Sequence, residues 1–294
     1  MNTGILYALA TYILWGLFPI YWKQLDYVPA AQLIGHRILW SFLMLLAVIL
    51  LTGQWRDFRS KLNRETIKAH GLAGLLLGVN WLTYVWAVNN GYIVESSLGY
   101  FINPLLSVLL GILFLKEKLR PLQWIPIGMA TIGVAYLTFA YGRLPWIALT
   151  LAFSFAFYGL LKKKSVLGSL YGLTLETGML LLPALAYLLY ADYTGNGIFL
   201  RLNLRTDLFL VGAGMVTAIP LLLFAQAAQR IPLTMIGLMQ YIAPTGQFLI
   251  GVLLYKEAFT ASQAVGFGII WLALIFFWGE GWLTHRRNRQ QASG

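Results

Sequence analysis

The chain has 294 residues, 59% hydrophobic and 11% charged, with a mean hydropathy of +0.72. A soluble domain carries roughly 25% charged residues, so most of this surface must meet lipid, and little chain remains for a soluble domain. There is no cysteine, which excludes disulfide scaffolds and thiolate metal sites. The net charge of +11 sits in short stretches between apolar runs rather than on one face, which suits cytoplasmic anchoring and not a nucleic-acid partner.

A membrane span needs about 20 apolar residues. Apolar runs fall near residues 5–22, 30–51, 70–90, 94–115, 121–140, 145–161, 168–190, 207–228, 234–254 and 262–283. Lipid offers backbone groups no partner outside their own segment, so each run is expected to be a helix. The sequence thus predicts an all-α polytopic membrane protein with ten transmembrane helices, here numbered spans 1 to 10. Span 1 lacks a basic start and a clear cleavage site, and reads as a retained helix rather than a signal peptide. It ends at Lys23, which is placed to reach the outer interface.

Span 2 carries Arg37, and span 7 carries Glu176, each some eight residues into its helix. Intramembrane charges are costly and usually partnered. Two readings stand: the two residues pair or line a hydrated path, or each makes a separate interhelical contact. Span 3 is rich in amides and aromatics: Asn80, Trp81, Tyr84, Trp86, Asn89 and Asn90. Asn80 with Tyr84, and Trp86 with Asn90, share a helix face. Such groups would go unsatisfied against lipid, so they should meet protein or a wet cavity. Glu95 begins span 4 and reads as a cap of its own helix. Glu117 and Glu257 end spans 4 and 9 beside lysines, where local pairing is the simplest account. Pro104 and Pro244 lie inside spans 4 and 9, where an interior proline bends a helix.

Orientation follows from Lys and Arg. With the N-terminus in the cytoplasm, fifteen of the 21 basic residues fall on the inner side. Five fall outside (Lys23, Arg143, Arg201, Arg205, Lys256), and Arg37 lies within a span. The bias predicts both termini in the cytoplasm.

Residues 73–128 align without a gap on 213–268, with 14 of 56 pairs identical. The matches include Pro104/Pro244, Gly111/Gly251, Lys116/Lys256, Glu117/Glu257 and Gln123/Gln263. The chain therefore looks duplicated: residues 1–142 form a first five-helix repeat, 143–284 a second, and 285–294 a basic cytoplasmic tail. An odd number of spans turns the second copy upside down. Inverted repeats recur in secondary transporters, with a site where the halves meet.

The soluble catalytic signatures are missing. There is no Walker A sequence, no HExxH and no G-x-S-x-G, and His36, His70 and His285 are far apart. An enzyme, a bound metal and a cofactor have no positive support.

The strings Trp15-Gly16…Pro19, His36-Arg37…Trp40-Ser41-Phe42, Asn80-Trp81-Leu82, Ser97-Leu-Gly-Tyr-Phe-Ile-Asn-Pro104, Leu175-Glu-Thr177 and Gln240-Tyr-Ile-x-Pro-Thr245 resemble the RarD proteins, in the EamA branch of the drug/metabolite transporter superfamily. The resemblance runs from about residue 4 to residue 283. It implies a permease of the bacterial inner membrane with ten helices in two EamA repeats, its cavity lined by spans 1, 3, 4, 6, 8 and 9. Mapped onto this chain, the substrate path would be Trp15, Tyr21, Asn80, Tyr84, Trp86, Asn90, Tyr100, Asn103, Tyr158, Gln226, Gln240 and Tyr241. Spans 2 and 7 would be peripheral, giving Arg37 and Glu176 structural roles.

The expectation is a secondary transporter moving a small metabolite or drug-like solute by alternating access, with membrane lipid and the solute as partners. A lipid flippase and a membrane assembly or sensor protein are the alternatives. The small-residue faces Gly71/Gly74/Gly78, Gly212/Gly214 and Gly266/Gly268 favour close helix packing and would also suit a homodimer.

Overall fold

The computed structural model describes residues 2–90, 92–142, 144–256 and 261–292. Glu257 and Arg143 lie outside the described residues. The order of helices is α1 (Thr3–Gly16), α2 (Phe18–Trp22), α3 (Ala30–Leu51), α4 (Trp55–Ser60), α5 (Arg64–Asn89), α6 (Ile93–Leu115), α7 (Trp124–Tyr141), α8 (Trp146–Lys164), α9 (Ser169–Tyr193), α10 (Leu204–Arg230), α11 (Leu233–Gln240), α12 (Ile242–Leu249) and α13 (Ala261–Ala292). Eight segments are long and apolar enough to cross a membrane among the described residues. They are 3–25, 30–51, 95–115, 121–139, 146–164, 169–193, 204–230 and 233–254. The chain is an all-helical, multi-pass membrane protein. Of the other expected spans, α5 is a continuous helix, Arg64–Asn89, whose stretch 71–88 carries no charged residue. α13 contributes the shorter apolar stretch Ala264–Phe277.

The helix ends follow local chemistry. Asn2 Oδ1 accepts from the Gly4 N–H and Asn203 Oδ1 from the Thr206 N–H, capping α1 and α10. Gly142 closes α7 with φ +78, the left-handed turn that glycine adopts without a Cβ penalty. The segment 54–68, expected as a connection, contains α4 and the start of α5. Phe58 on α4 is buried with Ile49, Leu167 and Tyr171, so this surface turn is tied to the core. α13 continues through most of the expected basic tail.

The packing pairs come in matched sets. α1 lies on α10 as α5 lies on α8, and α3 lies on α10 as α5 lies on α9. α6 packs on α8 as α12 packs on α1, while α6·α11 and α7·α13 join elements that the internal match relates to each other, and α3·α9 joins the second spans of the two expected repeats. Exchanging the halves therefore maps these contacts onto themselves. Lys116 and Lys256, matched in sequence, also both take left-handed backbone, φ 54 and 58. The main core spans both halves, from Tyr12, Leu45 and Leu77 to Phe224, Leu233 and Met239. Some crossings bring backbones together: a Cβ on Gly214 of α10 would stand 2.5 Å from the Trp40 carbonyl carbon of α3.

The prolines act in two ways. Pro104, Pro183 and Pro220 sit inside continuous α6, α9 and α10. Segment 3–25 breaks at Leu17 just before Pro19, and segment 233–254 breaks at Tyr241 before Pro244, then ends in a π-helical turn, Ile250–Leu254. π-turns are rare and frequent near functional sites.

Candidate functional site

A cavity of about 540 Å³ lies in the middle of the bundle. Its wall takes matched positions from both halves: Trp81 and Leu221, Tyr100 and Gln240, Asn103 and Ala243. α1 and α2 add Trp15, Phe18, Pro19 and Trp22, and α8 adds Leu151 and Phe155. A volume in the range of ligand sites, with a mainly apolar wall and a few placed polar groups, is the usual build of a small-molecule pocket.

The amides are held by neighbouring helices. Asn80 Nδ2 donates to the Leu151 carbonyl (2.9 Å) and Ser154 Oγ (3.0 Å), Asn103 Nδ2 to the Ala152 carbonyl (2.9 Å), and Gln247 Nε2 to the Trp15 carbonyl (2.9 Å). These bonds fix the amides of α5, α6 and α12 at the wall. Tyr84 and Tyr100 meet edge to face with centroids 6.3 Å apart. Arg37 reaches the cavity from α3. Its Nε donates to Thr217 Oγ1 at 2.9 Å, and the guanidinium lies 5.0 Å from the Trp22 ring and 4.9 Å from the Trp81 ring.

One end of the cavity extends to Asp26, Val28 and Ala30, at the connection into α3. Outside the cavity wall Glu117, just past α6, reaches across to α11. Its Oε1 accepts from the Leu233 N–H (2.7 Å) and its Oε2 from the Thr234 N–H (2.9 Å). Carboxylates are favoured at helix N-termini, where backbone donors lack partners. Below this cap a Cβ on Gly237 would stand 2.6 Å from the Pro104 carbonyl oxygen, so α6 and α11 close with no gap. Glu95 does the same work elsewhere, accepting from the Ile147 N–H at 2.8 Å at the start of α8. Both glutamates thus cap a neighbouring helix; Glu95 also lies in the first turn of its own helix, α6, as expected, and Glu117 takes backbone donors rather than an adjacent lysine.

A buried ionic cluster stands apart from the cavity wall. Glu176 on α9 is fully buried, and its Oε1 accepts from Lys162 Nζ (2.7 Å) and meets His70 Nδ1 (2.7 Å). Tyr158 donates to Oε2 at 3.0 Å. His70 Nε2 in turn lies 3.1 Å from Ser165 Oγ. The cluster ties α5, α8 and α9 together. Gly172 makes room for it, since a Cβ there would stand 2.5 Å from His70 Cε1. Arg37 and Glu176 therefore have separate partners and do not pair.

Of the residues expected along a substrate path, Trp15, Asn80, Tyr84, Tyr100, Asn103 and Gln240 line the cavity, as do Arg37 and Pro244. The others stand elsewhere. Tyr21 donates to the Phe209 carbonyl at 2.6 Å, and Tyr158 belongs to the ionic cluster. Trp86 is exposed and stacks on Tyr92, while Asn90 donates back to the Trp86 carbonyl. Gln226 binds Ser169 and Arg230. Tyr241 donates to the Phe101 carbonyl at 3.1 Å, and Pro104 faces Gly237 of α11. Sequence reasoning missed Trp22 and Thr217 as wall residues and Glu117 as a cap; the match of Thr217 to Leu77 gave no polar echo to follow.

A lipid-embedded bundle of long apolar helices around an amide- and aromatic-lined cavity is the build of a membrane transport protein. The profile of the EamA-like transporter family matches residues 2–139. An uncharacterized transporter of Bacillus subtilis, YojE, is 47% identical over 93% of each chain. Protein RarD of Streptomyces exfoliatus is 43% identical over 98% of this chain and 92% of its own. Protein RarD of Escherichia coli is 42% identical over 97% of each. A solved crystal structure of a protein 18% identical to this chain superposes with a TM-score of 0.70 over 93% of this chain and 96% of the other, which shows a shared fold. The chain belongs to the EamA-like transporter family.

Proposed function

We propose that the chain is a secondary transporter of the bacterial inner membrane that carries a small solute through the central cavity by alternating access. Ten spans form two inverted five-helix repeats, 1–142 and 143–284, with both termini in the cytoplasm. The observation that carries this reading is the matched wall: Trp81/Leu221, Tyr100/Gln240 and Asn103/Ala243 face one cavity from opposite halves. A site on a pseudo-twofold axis can be presented to either side when the halves rock. The self-mapping helix contacts support the same symmetry, and the family profile covers close to one expected repeat.

With the orientation set by the basic residues, the end at Asp26 faces outward and the Glu117 cap seals the cytoplasmic end. The Leu17 and Tyr241 breaks, beside Pro19 and Pro244, are the hinges of the moving walls. Glu95 and Glu176 hold helices together away from the wall, so neither is needed as a proton carrier.

The test compares metabolites in cells and medium with and without the protein, followed by flux of the enriched solute in sealed vesicles with and without a pH gradient. Solute flux that requires the protein supports the reading. Unchanged metabolite pools, and no flux of any solute, would remove it.

A further inference from the structure

The cavity wall holds a cation, Arg37, with no ion-pair partner among the described residues. Arg37 spends its Nε on Thr217, a residue only 1% exposed, which fixes the plane of the guanidinium. Its terminal nitrogens have no hydrogen-bond acceptor among the described residues, yet they are not sealed, because the side chain borders the cavity. The nearby acids are committed. Asp26, at the cavity end, lies 3.2 Å from Lys23; Glu95 and Glu117 hold backbone N–H groups; Glu176 holds Lys162 and His70. The faces of Trp22 and Trp81 soften the charge by cation–π contact but do not neutralise it. An unpartnered charge at membrane depth is expensive and marks function by default.

We propose that the solute held in this cavity is a small organic anion, a carboxylate on a ring-bearing body, with Arg37 as its anchor. The proposal rests on the transport reading for the use of the site, but not for the binding itself. A planar guanidinium with free terminal N–H groups matches a carboxylate by two parallel hydrogen bonds, which a lysine could not supply. The pair so formed is neutral, so the loaded cavity loses the cost that the empty one bears. Trp15, Tyr84, Tyr100 and Phe155 provide the apolar wall against which a ring would lie. A cationic solute would meet the like charge of Arg37, while the carboxylate of Asp26, at the cavity end, already faces Lys23.

The experiment uses the full chain in lipid nanodiscs. Tryptophan fluorescence, to which Trp22 and Trp81 contribute, is titrated with 3-phenylpropanoate, 3-phenylpropan-1-ol and 3-phenylpropylamine, three probes with one body and different charge. The acid should bind about tenfold or more tighter than the alcohol and the amine. Arg37→Gln should weaken the acid by about 10- to 100-fold and leave the alcohol unchanged, while Arg37→Lys keeps part of the preference. Equal binding of the three probes, stronger binding of the amine, binding of none, or an Arg37→Gln protein that titrates like the parent would each overturn the proposal. Where Arg37→Gln does not fold, the order of the three probes on the parent protein decides alone. Flux in proteoliposomes separates the two readings. An acid that binds through Arg37 but is not carried removes transport and keeps the anchor; flux indifferent to solute charge keeps transport and removes the anchor.

Discussion

Replacing Glu176 by Gln isolates the charge at the centre of the ionic cluster. The amide keeps the size of the carboxylate and still offers Lys162 and His70 a carbonyl oxygen, but it leaves Lys162, 1% exposed, with no counter-charge. Breaking a buried ion pair from one side costs about 3–5 kcal/mol. The upper half of that range applies here, because one oxygen serves two donors at 2.7 Å and the other takes Tyr158 at 3.0 Å. With an unfolding entropy of about 2.1 cal/mol/K per residue, as in soluble domains, the loss is roughly 6–8 °C over 294 residues. Lipid-embedded helices stay helical when they separate, so their entropy is smaller and this shift is a lower bound. The assay is the fraction of monodisperse protein left after heating in detergent. Glu176→Gln with Lys162→Met should recover most of the loss, since it removes the stranded ammonium and leaves no unpaired buried charge. A single variant within about 1 °C of the parent, well inside the scale above, or a double variant no better than the single, would refute the cluster's structural role.

Glu117→Ala removes two charge-assisted hydrogen bonds from the start of α11. It should raise the population open at that end by about tenfold or more, read as faster thiol labelling of a cysteine placed at buried Val108 beneath the cap. Gly214→Ala puts a methyl group 2.5 Å from the Trp40 backbone. The backbone cannot turn aside as a side chain can, so about 1–3 kcal/mol of stability should be lost, measured by the same heating assay.

Much of the fold is legible in the apolar runs, because lipid forces each into a helix whatever its neighbours do. Asn80 and Tyr84 are legible as a cavity face, since a four-residue spacing sets both on one side and neither tolerates lipid. The rest depends on how each helix is rotated, which a mapping by helix number does not contain. Gln240 and Tyr241 are adjacent, about 100° apart around the helix axis, so one faces the cavity and the other packs against Phe101. Trp86, Tyr158 and Gln226 sit on expected wall helices but point to other neighbours. Arg37 shows the converse: a long side chain carries its charge into the cavity from a helix expected at the periphery. The caps at Glu95 and Glu117 join residues 52 and 116 positions apart, and no local pattern signals such a partner.

The absence of native cysteine makes one measurement direct. Ala243→Cys puts a thiol on the cavity wall, and a membrane-impermeant thiol reagent is applied separately to right-side-out and inside-out vesicles. Alternating access predicts labelling from both faces, quickened by transported solute. Labelling from one face only, at a rate indifferent to solute, would contradict a cavity that serves both sides of the membrane.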